Sequence, residues 1–149
     1  MTCEVIDWRP QDSNNGSIPS RKEPAMNTSI LERAVDAHLA AYANPDAAAR
    51  LAAIRDLWSQ EGRLVDPPME GRGHAGISDL AATLLSQFPG HRFERSTAID
   101  SHHDFARYGW RLLDPGRAAV LEGVDFVQFD VDGRIARIVG FFGSQPATR

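Results

Sequence analysis

Cysteine is almost missing from this sequence of 149 residues: Cys3 stands alone, so there is no internal disulfide and no CxxC pair for zinc or redox chemistry. A reducing, cytoplasmic compartment is the expectation that follows. An excess of one charge sign is missing too, since 16 Lys and Arg stand against 20 Asp and Glu for a formal net charge of -4. That balance removes the basic footprint of a nucleic-acid or anionic-membrane binder. No long apolar run is present, and in residues 1–26 Asp7, Arg9, Pro10, Asp12, Pro19, Arg21 and Lys22 interrupt every candidate. The segment reads as neither a signal peptide nor a membrane span. Internal repeats and low-complexity tracts are absent. The glycines of Glu70 to Gly76 lack the Lys-Ser/Thr ending of a phosphate loop and read as a connection and helix start.

What is present is a 42% hydrophobic composition, enough for one buried core and too little chain for two. Gln11 to Pro24 is rich in Ser, Asn, Gly, Pro and charge and buries too little apolar surface to offset its ordering entropy. Residues 1–26 are therefore expected to be a flexible tail, with Met26 an alternative start and with Ile6 and Trp8 available to dock on the domain or a second subunit. Residues 27–149 are expected to form one domain.

Helical spacing begins near Asn27, where Ser29 and Glu32 have capping-box separation and Leu31, Val35, His38, Leu39 and Tyr42 share a face. Asn44, Pro45 and Asp46 break this helix and start another with Leu51, Ile54, Leu57 and Trp58 on its apolar side, ended by Gly62. Arg63 to Asp66 reads as a short extended run stopped by Pro67-Pro68, and a third helix is expected from Gly76 to Phe88. After His91 the pattern becomes strands: Phe93 to Asp100, Phe105 to Leu113, Ala118 to Asp130 and Ile135 to Phe142. Helices first and a meander afterwards is the order of an α+β fold, with three N-terminal helices packed in a strongly curved antiparallel sheet.

Strand parity then sorts the side chains. On the Ala118 to Asp130 strand Leu121, Gly123, Asp125, Val127 and Phe129 share a face, opposite Glu122 and Gln128, so Asp125 points inward. Arg107 and Arg111 need solvent, which turns Tyr108, Trp110 and Leu112 in; Arg137 does the same for Ala136, Ile138, Gly140 and Phe142. The concave face thus holds aromatics, small residues and one carboxylate, with Trp58, Tyr108, Trp110, Ile138 and Phe142 as the expected walls of a pocket for a small apolar ligand.

A carboxylate among such groups is poorly hydrated and its pKa rises, so Asp125 is a candidate proton donor or acceptor; capping a bulge is its other reading. Asp66, before Pro67, is either a turn residue or a second acid at the pocket mouth. Two acids in different environments can divide into a base and a neutral donor. His102, His103 and Asp104 cannot all reach one ion from a regular strand and read as a polar hairpin turn, although His102 and Asp104 share the inward parity of Trp110 and remain possible rim residues. No metal or cofactor is implied.

Leu57-Trp58, Val65-Asp66-Pro67, Gly71 to Ile77, Arg107 with Trp110, Gly123-Val124-Asp125-Phe126 and Asp132-Gly133-Arg134-Ile135 leading to Gly140-Phe141-Phe142 carry a resemblance over Ser29 to Gly143. The chain resembles nuclear-transport-factor-2-like proteins of the SnoaL-like and ketosteroid-isomerase-like group. The resemblance implies a cystatin-like cone, often dimeric, with a ligand inside. It implies Asp66 as the base that shuttles a proton between carbons and Asp125 as a protonated donor to the dienolate oxygen. The helix-one donor of the isomerases falls on His38 or Tyr42, and on His38 when the connection to helix two is gapped. Gly140 occupies the position where polyketide cyclases and limonene-epoxide-hydrolase-like members carry an acid, which disfavours both chemistries. Proton transfer next to a carbonyl on a steroid-, terpenoid- or polyketide-like substrate is the leading expectation, and a non-catalytic ligand-binding or assembly module is the alternative. Phe126 and Phe141, on the outer sheet face, point to a homodimer.

Overall fold

The computed structural model describes residues 27–148, so the tail expected over residues 1–26, with Ile6 and Trp8, lies outside the described residues. Helix α1 (Thr28–Tyr42) starts where the Asn27 side chain accepts from the Ser29 amide at 3.1 Å. Asn27, two residues before the Ser29 expected to cap through a Ser29–Glu32 box, is the cap, and Glu32 instead lies 3.6 Å from Arg95. Leu31, Val35, His38, Leu39 and Tyr42 are all buried on one face, as the spacing requires. Helix α2 (Ala47–Leu57) is capped by Asp46, whose carboxylate accepts from the Ala49 amide at 2.8 Å. Arg50 of α2 is buried and ties the helices together, its Nε donating to Ser78 Oγ at 3.0 Å and its Nη1 to the Asn44 carbonyl at 2.7 Å.

The chain leaves the helix at Leu57, and Trp58 opens strand β1 (Trp58–Asp66) rather than closing a helix at Gly62. Gly62 serves the strand: a Cβ there would lie 2.6 Å from the Trp58 ring, so glycine lets the indole fold back over its own strand. After the cis Pro67-Pro68 bond the chain enters strand β2 (Met69–Arg72), where the sequence predicts a connection. Helix α3 (Gly73–Gln87) follows at once, three residues ahead of the expected start.

The remaining strands are β3 (Arg92–Arg95), β4 (Asp100–His102), β5 (Phe105–Leu113), β6 (Ala119–Phe129) and β7 (Ile135–Phe142). The single strand expected from Phe93 to Asp100 is thus two short ones, both pairing with β5. Around the interruption, Ser96 donates its amide to the Gly109 carbonyl and the Gly109 amide donates to Thr97 Oγ1, both at 2.8 Å.

The sheet runs β2-β1-β7-β6-β5-β3, with β4 beside β5. The meander of β5, β6 and β7 is antiparallel as expected, but β1 joins β7 in parallel, Leu64 opposite Ile138 and Val65 opposite Val139. The sheet is mixed, because a strand arriving directly from α2 enters the sheet alongside the last strand of the chain. The class is α+β, and three helices cover the inner face of the curved sheet. Ala106, Tyr108, Trp110 and Leu112 of β5, Val127 and Phe129 of β6 and Ile138 of β7 pack there against Leu31, Val35, Leu39 and Ile54. Among the described residues no helix is long and apolar enough to cross a membrane.

Candidate active site

Parity brings Asp125 to the middle of this inner face. It lies opposite Tyr108 on β5 and opposite Gly140 on β7, and only 6% of it is exposed. Both of its oxygens are held: Tyr108 donates its hydroxyl to Oδ2 at 2.9 Å, and Trp110 donates Nε1 to Oδ1 at 2.8 Å. The alternative reading, a bulge cap on backbone amides, is not what the carboxylate does.

Asp66 reaches the same place from the other side. It stands one residue beyond the Val65–Val139 pair at the end of β1, hence beside Gly140. A Cβ on Gly140 would collide with Asp66 Oδ1 and would lie 3.1 Å from Asp125 Oδ1, so both carboxylates converge on the space above one glycine. The missing side chain is what admits Asp66. No hydrogen bond to the Asp66 carboxylate is found among the described residues.

These surroundings set the protonation states. Burial pushes Asp66 up to about 6. Burial first, and then the nearby Asp66 charge, push Asp125 up to about 7, against the hydrogen bonds from Tyr108 and Trp110 that favour its ionised form. Two donors stabilise a carboxylate, but here the loss of water and a like charge outweigh them. The phenols of Tyr42 and Tyr108 are driven well above their ordinary range, chiefly by burial and further by the two acids, and stay protonated.

His38 and Tyr42, the two candidates for the helix-one donor, both line the cavity, so the structure keeps both beside the acids. His38 is 3% exposed, and burial lowers it to about 4, so the ring is neutral near pH 7. Its Nδ1 accepts from Trp58 Nε1 at 3.3 Å. The remaining lining comes from Leu39, Leu64, Phe93, Trp110, Ile138 and Phe142. Phe93 and Phe142 each approach the Trp110 ring edge-on, with centroids 5.4 and 5.5 Å apart. The space between these side chains is about 20 Å³, room for about one water.

Of the expected pocket walls, Trp110, Ile138 and Phe142 are there, and Trp58 and Tyr108 are not. Trp58 is fully buried behind His38, and Tyr108 is fully buried behind Asp125; each uses its polar tip to hold the residue that does face the cavity. Leu39, Leu64 and Phe93 were missed as lining. Leu64 has the parity of Asp66 and Leu39 lies one helical turn from Tyr42, so both were within reach of the same rule. His102, His103 and Asp104 form the β4–β5 hairpin: His103 takes φ 52, Asp104 accepts from Gln128 at 3.0 Å, and neither His102 nor Asp104 reaches the cavity. That part of the parity argument fails because β3 and β4 are separate strands and the hairpin lies beyond the inner face. Among the described residues no group of three or more His, Cys, Asp or Glu gathers at metal-binding distance.

Residues 35–138 match the family model of the SnoaL-like domain. A candidate isomerase of the SnoaL-like family from Agrobacterium tumefaciens superposes with a TM-score of 0.74 at 33% identity, covering 78% of this chain and 99% of that one. A protein with a cystatin-like fold from Methylobium petroleophilum gives 0.63 at 22% identity, covering 83% and 82% of the two chains. A candidate polyketide cyclase from Sinorhizobium meliloti gives 0.59 at 17%, covering 77% and 99%. The last two likenesses speak to the fold alone. No functionally curated protein matches the chain. The matched span runs from α1 through β7 and takes in His38, Asp66 and Asp125, and the chain belongs to the SnoaL-like family.

Proposed function

We propose that the protein is an isomerase-type enzyme that moves a proton between carbons next to a carbonyl group on a small, mostly apolar substrate. One observation carries the reading: two acids, distant in sequence, converge over Gly140 in a cavity otherwise walled by aromatic and aliphatic side chains. Asp66, which accepts no hydrogen bond among the described residues and has a pKa of about 6, is the base. It takes a proton from the carbon beside the carbonyl, becomes a carboxylic acid, and returns that proton to the γ carbon as the double bond shifts into conjugation.

Asp125, with a pKa of about 7, supplies the donor to the enolate oxygen from its protonated form. Oδ1 is the oxygen that borders the space above Gly140, while Tyr108 holds Oδ2 from behind. His38 and Tyr42 are the neighbouring neutral donors. The likeness to the Agrobacterium protein supports this class of reaction. The glycine at position 140 argues against a cyclase or epoxide-hydrolase mechanism that needs an acid there.

A β,γ-unsaturated ketone as small as cyclohex-3-enone is the probe, because its conversion to the conjugated enone is read directly by ultraviolet absorbance. Asp66→Asn is expected to lower kcat by about 10²- to 10⁴-fold. Wild-type turnover that survives this substitution unchanged removes Asp66 from the role. The narrowness of the cavity favours a second reading, a non-catalytic ligand-binding or assembly module. Tight binding of the conjugated ketone with no turnover by wild type identifies that case.

The outer sheet face exposes Phe105, Val124, Phe126 and Phe141, the last two edge to face at 5.9 Å, and we take this patch as the seat of a homodimer. Sedimentation is expected to show a dimer that Phe126→Lys dissociates; a wild-type monomer at high concentration rules it out.

A further inference from the structure

The indole of Trp58 does something its burial alone does not require. Trp58 is wholly inaccessible, opens β1, and stands edge-on to His38 with ring centroids 5.4 Å apart. Its carbonyl is engaged by His74 Nε2 at 3.0 Å, which fixes the backbone at the strand's first residue. Gly62 leaves the space into which the ring folds. The indole nitrogen is thereby aimed at His38 Nδ1 at 3.3 Å from a rigid base.

An indole N–H can only donate, so the nitrogen it meets must carry a lone pair. A neutral imidazole has one N–H, and with Nδ1 committed as acceptor that N–H is on Nε2. Doubly protonated imidazole is disfavoured as well, since it would set Nδ1–H against the indole N–H inside a buried site. The two ring nitrogens diverge. With Nδ1 turned to Trp58, the other polar corner of a cavity-lining ring is left for the cavity.

We propose that Trp58 is a positioning residue that locks His38 in the neutral Nε2–H form, making His38 a hydrogen-bond donor of fixed tautomer on α1. This deepens the isomerase reading, since it assigns the second donor to the enolate oxygen. The aromatic and acidic neighbours agree with it: Tyr42 packs on His38 at 5.6 Å, and neither Asp66 nor Asp125 is hydrogen-bonded to the imidazole among the described residues. A carboxylate bonded to Nδ1 would have favoured the opposite tautomer or the imidazolium.

The test is long-range ¹H–¹⁵N correlation spectroscopy on the ligand-free, histidine-labelled full chain between pH 5 and 8. His38 is expected to show a protonated Nε2 and a bare Nδ1 throughout, with no titration in that range. Trp58→Phe keeps the ring but removes the donor; the Nδ1 signal should then move toward a mixture of tautomers. Should Trp58→Phe fail to fold, the wild-type spectrum alone decides: a proton on Nδ1, or an imidazolium appearing above pH 5, overturns the proposal. An Nδ1 signal unmoved in a folded Trp58→Phe chain does so too. Because no substrate is involved, the outcome is separate from whether the protein turns over a ketone. If it does, His38→Gln, which retains a donor, should preserve more of kcat than His38→Leu, with KM little changed.

Discussion

Gly140 shows how much a single missing side chain settles. Its place beside both acids means that adding one methyl group strikes the Asp66 carboxylate before anything else. Gly140→Ala is expected to cost about 1–3 kcal/mol in denaturant unfolding, the usual penalty for overpacking. It should also lower turnover of the ketone probe by on the order of 10²-fold, because Asp66, the proposed base, is displaced. Truncating the obstructing acid relieves the collision, so Asp66→Ala with Gly140→Ala should be less destabilised than Gly140→Ala alone. A strictly additive pair means that Asp66 is not what the methyl group meets. Sequence marked this position as lacking an acid, but could not show that the gap is filled by an acid from another strand.

Among the elements, those with long, regular patterns were legible. The α1 face with Leu31, Val35, His38, Leu39 and Tyr42, and the alternation of β5 and β6 that turned Tyr108, Trp110 and Asp125 inward, follow from side-chain period alone. The caps follow from local chemistry, and Asp46→Ala should cost about 1 kcal/mol by removing the acceptor of the Ala49 amide, measurable by thermal unfolding. The short or irregular elements were not legible. Met69 to Arg72 alternates too briefly to announce β2, and the break between β3 and β4 depends on Thr97 and Gly109 meeting across the edge. The passage from α2 to β1 was misread because Trp58 fits the apolar face of the helix that precedes it as well as the strand it begins. Local propensity had no means of choosing; the partner strand, β7, makes the choice from the far end of the chain.

For the molecule as a whole, the site is a source of opposing pH dependences. Asp66 and Asp125 have folded pKa values of about 6 and about 7, above the ordinary 3.8, so the native state holds protons that the unfolded chain releases. Their contribution to stability is full below the unfolded value and is lost as pH rises through 6 to 7. His38, lowered from 6.5 to about 4, acts in the other direction: its contribution is present above 6.5 and is lost as pH falls through 4. The denaturation midpoint of wild type minus that of Asp66→Asn with Asp125→Asn should therefore decline from pH 5 to pH 8. A flat difference would mean that the two acids are as well hydrated in the native state as in the unfolded one.

The parallel junction of β1 with β7 also governs when the site comes into being. Asp125 already meets Tyr108 and Trp110 within the β5–β6 pair, but Asp66 and Asp125 share a neighbour only once β7 lies between their strands. Until the closing strand lies between β1 and β6, the two acids are not brought together over Gly140. Assembly of the proposed site and completion of the sheet are then one event, and a chain ending before residue 140 is expected to have neither.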